Sequence, residues 1–123
     1  MILKHVLNHQ PSLDLTFQAL ADPTRRAMVE RLSRAPRSVS DLARPLAMSL
    51  PAVMQHLAVL EGAGLVVSEK LGRVRTCRIE PTALAPAQAW IDARRAEWER
   101  RLDRLGAYLD ELQAKGDDDG ADT

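Results

Sequence analysis

Apolar positions along the chain fall first into helical stripes. Between Ser38 and Leu65, Val39, Leu42, Ala43 and Leu46 recur at helical spacing, and Val53, Leu57 and Leu60 repeat that spacing further on. Two such runs joined by three or four residues predict a helix-turn-helix. Ser40 is the expected N-cap of the first run. Ser49 is that of the second, with Pro51 in the first turn, where a missing N–H costs nothing. With Val53 inward, about 100° per residue turns Pro51, Gln55 and Ala58 outward and sets Ala52, Met54 and Val59 on the flanks.

The same pattern organises the flanking segments. Leu13 to Ala21 predicts a helix with Leu13, Phe17 and Leu20 on one side and Ser12 as its cap. Asp22-Pro23 closes it and opens the next, from Thr24 to about Arg34, with Asp22 as N-cap. Met28, Val29 and Leu32 point inward there, whereas Arg25, Arg26, Glu30 and Arg31 fall mostly on a solvated face, with support against phosphates as the second reading. Past Gly62 and Gly64 the period changes. Leu65 to Leu71 and Val74 to Ile79 read as two strands around a Gly72-Arg73 turn, a register that sets Lys70 opposite Arg75 and Val66 opposite Ile79. Cys77 then faces inward as a small core residue. Pro81 to Pro86 is a connection with room for one helical turn.

From Pro86 to about Lys115 the chain predicts one long helix. Ile91, Trp98, Leu105 and Leu112 recur every seven residues, with Leu102 and Leu109 between them, and Arg95 interrupts the stripe near its start. A chain of 123 residues has little further core to bury such a stripe. A homodimer through this helix, with Phe17 and Leu20 of the first helix alongside, is the economical reading; the alternative is that the helix folds back on its own domain. Trp90 and Trp98 read as packing at that seam rather than as walls of a ligand site.

Length allows one domain, residues 12–115, preceded by an arm (1–11) and followed by an acidic tail (116–123) whose composition predicts disorder. The formal net charge of +0 conceals an asymmetry. Pro23 to Ile79 holds ten Lys/Arg against four Asp/Glu, and Asp110 to Thr123 one Lys against six acids. Lys70, Arg73 and Arg75 cluster on the hairpin, where like charges face each other unless an anion sits between them. An uncharged helical face beside a cationic hairpin points to double-stranded DNA, with the helix in the major groove. A single cysteine excludes a disulfide framework and a Cys-based zinc site, fitting a cytoplasmic setting. The N-terminal apolar residues are interrupted by Lys4 and His5, so no signal or membrane segment is expected. Neither paired carboxylates, a nucleophile with its base, nor a phosphate-cradling Gly loop appears, and no enzyme is expected.

The blocks ALADPTRRAMVERL, VSDLARPLAMSLPAVMQHLAVLEGAGLV and EKLGRVRTCRIE, in that order and spacing, resemble the ArsR-type winged-helix regulators. The resemblance covers roughly Phe17 to Leu112. It implies a mainly α winged helix-turn-helix fold (α-α-α-α-β-β-α) with a C-terminal dimerisation helix, and a homodimer that represses by binding a palindromic operator. The family's recognition helix is matched by Ser49 to Leu60 and its wing by Lys70 to Arg78. On that basis Ser49 and Gln55 offer hydrogen bonds to base edges, Pro51, Ala52 and Met54 apolar contact, and Lys70, Arg73 and Arg75 phosphate neutralisation. Family members that sense metals hold cysteines where this chain has Val39-Ser40-Asp41-Leu42, or His and carboxylates on the last helix, where it has Asp92, Glu97 and Glu99 without histidine. No metal or other cofactor is expected. His5 and His9 lie in the arm, and His56 takes a packed or phosphate-touching role. The sequence names no small-molecule inducer. The rival reading is a winged-helix protein-interaction module without direct DNA readout.

Overall fold

The computed structural model describes residues 13–121, with side chains through residue 117. The arm 1–11, the expected Ser12 cap and the last two residues lie outside the described residues. The chain divides into two compact units, Met1–Ala87 and Gln88–Thr123.

In the first unit, helix α1 (residues 13–20) buries Thr16 and Ala19, and Leu20 packs against the core from its edge. Phe17 is 37% exposed, so the inward face differs from the Leu13, Phe17, Leu20 stripe that spacing predicts. The small Ala19 allows the close approach that a large residue prevents. Helix α2 (Pro23–Arg34) begins as expected: the Asp22 carboxylate accepts the Arg25 N–H at 3.0 Å, and Pro23 occupies the first turn.

Arg25, Arg26 and Arg31 of α2 each reach a backbone carbonyl, Arg26 while staying on the solvated face expected of it. Arg25 donates to the carbonyl oxygens of Ala19 (2.8 Å) and Gln18 (3.0 Å), and Arg26 to that of Leu20 (2.8 Å). Arg31 donates to Leu42 (3.0 Å) and Asp41 (2.9 Å). These carbonyls belong to the last turns of α1 and α3, where intrahelical donors run out; guanidinium groups supply them.

A two-residue strand, β1 (Arg37–Ser38), follows and is absent from the α-α-α-α-β-β-α order expected. It pairs antiparallel with β3 and gives the sheet order β1-β3-β2. Two residues carry no periodicity, but they cover backbone groups that β3 would otherwise leave unpaired on that edge. Ser38 ends this strand and also caps α3 (Val39–Ala43), its hydroxyl accepting the Asp41 N–H at 3.1 Å. Ser40, the expected cap, is exposed inside the helix: burying Val39 and Leu42 on one face requires the helix to start earlier.

Helix α4 (Leu50–Gly62) ends in a Schellman arrangement. Gly64 takes φ +76°, its N–H donates to Glu61 at 2.9 Å, and the Leu65 N–H donates to Leu60 at 3.0 Å. Strands β2 (Val66–Leu71) and β3 (Val74–Ile79) pair in the predicted register, with Val66 opposite Ile79 and Lys70 opposite Arg75. A 3₁₀ turn at Pro81–Leu84 leads into α5 (Ala85–Ala121). The core joins Met28 and Leu32 of α2, Leu42 of α3, Val53, Leu57 and Leu60 of α4, and Leu65, Val66 and Cys77 of the sheet region.

The second unit is the run of α5 from Gln88 onward. The helix passes Gly106 without a break and continues through Ala121, beyond the Lys115 boundary that composition suggests, because extending a long helix costs far less than nucleating one. Ile91, Trp98, Leu102, Leu105, Leu109 and Leu112 are each 40–60% exposed along it. Among the described residues no helix is long and apolar enough to cross a membrane.

Candidate nucleic-acid interface

Ser49 adopts extended backbone geometry and its hydroxyl accepts the Ala52 N–H at 3.3 Å, so α4 starts where the sequence places it. Val53, Leu57 and Leu60 anchor it with 1% exposure or less. The rotation that buries them turns Pro51, Gln55 and Ala58 to the surface, with Met54 and Val59 beside them and Ala52 half-buried. Leu50, which the sequence reading passed over, is 55% exposed at the start of the helix; it lies seven residues before Leu57, on the side that periodicity buries, so spacing gave no signal for its exposure.

His56 does not join that surface. Its Nδ1 lies 3.2 Å from the Arg25 guanidinium and 3.9 Å from the Asp22 carboxylate, in a half-buried position against α2. The Asp22 carboxyl is held below its ordinary range, first by the Arg25 N–H and also by the charge of the Arg25 guanidinium.

On the hairpin, Gly72 takes φ +63° and Arg73 sits at the tip. Glycine at the first central position is what a two-residue turn of this hand requires. Lys70, Arg73 and Arg75 are all exposed. Arg75 is not simply a free cation facing Lys70: its guanidinium donates to the Ser68 hydroxyl at 3.0 Å, and that hydroxyl donates to the Glu61 carboxylate at 2.7 Å. The chain Arg75–Ser68–Glu61 ties the wing to the C-terminal turn of α4. Sequence spacing alone held no signal for it, because Glu61 lies on another element.

A groove of about 500 Å³ brings these parts together. Ser40 and Arg44 line it from the α3 side, Leu50 and Met54 from α4, and Lys70, Arg73 and Arg75 from the wing. Ser49, Pro51 and Gln55 lie on α4 outside this concavity, Phe17 and Leu20 are on α1, and the heptad residues belong to the second unit. Cations dominate the wing wall and apolar side chains the helix wall. That pairing suits a ligand with an anionic backbone and apolar edges.

Among the described residues no three His, Cys, Asp or Glu side chains gather as a metal site. Asp92 accepts from Gln88 at 3.1 Å and Glu97 pairs with Arg94 at 3.3 Å, while Cys77 is buried in the core.

Residues 20–69 match a helix-turn-helix domain family. The chain is 44% identical over 107 residues to the HTH-type transcriptional regulator Rv2034 of Mycobacterium tuberculosis, covering 87% of this chain and 94% of that protein. It is similar to the crystal structure of an ArsR family transcriptional regulator, RHA00566, with a TM-score of 0.71 and 48% identity over 73% of this chain and 93% of the other. The homodimeric winged helix-turn-helix DNA-binding domain of Mb0332 from Mycobacterium bovis, a possible ArsR-family regulator, aligns with a TM-score of 0.55 and 25% identity, covering 73% and 82% of the two chains.

Proposed function

We propose, from the premise that this chain belongs to the ArsR family of helix-turn-helix transcriptional regulators, that it is a repressor binding a palindromic operator as a homodimer, one α4 per half-site. The observation that carries this reading is the groove in which the α4 wall meets Lys70, Arg73 and Arg75. Lys70 and Arg73 neutralise phosphates, and Arg75 does so from an orientation set by Ser68 and Glu61. Gln55 and Ser49 supply hydrogen bonds to base edges, with Pro51, Ala52 and Met54 in apolar contact. One amide and one hydroxyl per half-site make a thin code, so half-site spacing and DNA deformability supply the remaining specificity.

The dimer is supported by the exposed stripe of α5, by the partly exposed Phe17 and Leu20 on α1, and by the homodimeric Mb0332 domain. The chain belongs with members that lack a metal switch: α3 offers Ser40 and Asp41 without a thiol or imidazole, and Asp92 and Glu97 of α5 are engaged by Gln88 and Arg94. A single buried thiol fits a cytoplasmic setting.

DNA-binding isotherms at several salt concentrations test the reading. Arg73→Ala is expected to reduce the slope of log K against log salt by roughly one per bound protomer, about two for the homodimer, equally for all sequences. Gln55→Ala is expected to leave the slope intact and relax preference at one base step. Failure of the wild-type chain to bind its own upstream DNA at low salt supports the protein-interaction module instead.

A further inference from the structure

A second concavity, of about 550 Å³, shares Asp41 and Arg44 with the wing groove. Its walls are Arg31 and Arg34 of α2, Arg37 of β1, and Asp41, Arg44 and Pro45 at the end of α3. Four guanidinium groups thus surround one carboxylate. Their engagement is unequal. Arg31 is committed to the carbonyls of Leu42 and Asp41, and Arg44 is bound to Asp41 at 3.3 Å with its side chain 78% exposed. Arg37 uses only Nε, toward the Arg31 carbonyl at 3.4 Å, which leaves its two terminal nitrogens available. The Arg34 side chain makes no hydrogen bond or ion pair among the described residues.

Cations crowded around one hollow repel one another, and an arrangement of forked donors with little internal compensation favours an anion with several oxygens. Asp41 and Arg44 border both this hollow and the wing groove, so the two cationic surfaces are continuous across α3. A ligand that spans both must be an extended polyanion. We infer that Arg34 and Arg37, beside Arg44, form a second phosphate-binding surface, which holds the sugar-phosphate backbone of the duplex whose groove α4 enters. This inference rests on the DNA-binding reading and extends its contact surface to the α2–β1–α3 corner. Phosphates carry no base identity, so this surface adds affinity and register without sequence preference.

The test uses the full-length chain, with a duplex from its own upstream region and a scrambled duplex of equal length, across a salt series. Arg34→Ala/Arg37→Ala is expected to lower the salt slope by about two per bound protomer, about four for the homodimer, by the same amount on both duplexes. Arg34→Lys/Arg37→Lys is expected to restore most of the slope, since charge remains while the fork is lost. Circular dichroism of each variant confirms retained helix content. A well-folded double-alanine variant with an unchanged slope overturns the inference while leaving the Arg73 result, and with it the DNA-binding reading, intact. A loss confined to the upstream duplex overturns it as well, because it indicates base reading. A wild-type chain that binds neither duplex overturns both readings together.

Discussion

Cys77 sits fully buried on the sheet, and burial pushes its thiol above the ordinary range; the Glu61 carboxylate adds to that rise and the Arg75 guanidinium opposes it. A thiol raised in this way favours the folded state while it stays protonated. Its contribution is complete below the unfolded value near 9.0 and is lost as pH climbs through that value toward the folded one. The wild-type chain is therefore expected to lose stability across this interval more steeply than Cys77→Ala, as read from urea midpoints at successive pH values. Parallel curves refute the assignment. The arginines teach a related lesson at the same scale. Arg25, Arg26 and Arg31 share composition with Arg34 and Arg73, yet they spend their donors on helix-end carbonyls. Net charge therefore overstates the cations available to DNA.

Elements here are defined by how their ends are satisfied. The Ser49 hydroxyl supplies an acceptor to α4, so Ser49→Ala is expected to cost about 1 kcal/mol in denaturant unfolding, with Ser49→Asp close to wild type. Equal stability of Ser49→Ala and wild type excludes an energetic role for the cap. The other end of α4 performs a second task. Glu61 passes through Ser68 to Arg75 and couples helix to hairpin, so the wing is positioned by the element it serves. The short strand β1 works in the same spirit. It completes the sheet at one edge and hands the chain directly to α3 through Ser38, which belongs to both pairings.

For the whole molecule, the proposed dimer turns on α5. Its stripe of Trp98, Leu102, Leu105, Leu109 and Leu112 is exposed on every turn, an arrangement soluble chains seldom leave uncovered. Leu105→Glu, at a position 52% exposed, is expected to leave the first unit folded, shift sedimentation to the monomer, and weaken operator binding to that of a single half-site. A variant that stays dimeric excludes this stripe as the interface.

What the sequence determined by itself was local. The Asp22 and Ser49 caps, the inward Val53, Leu57 and Leu60, the Gly72 turn and the Lys70–Arg75 register all depend on residues a few positions apart, where periodicity and backbone sterics suffice. Tertiary structure decided the rest: the inward side of α1, the Ser38 cap, strand β1, the packing of His56 on Arg25, the Arg75–Ser68–Glu61 chain, and the gathering of Arg34, Arg37 and Arg44 at one corner. Each of these depends on a contact between elements distant in sequence. A guanidinium has the same propensity and hydropathy whether it meets a carbonyl, a carboxylate or water, so its partner is fixed only when the chain has folded.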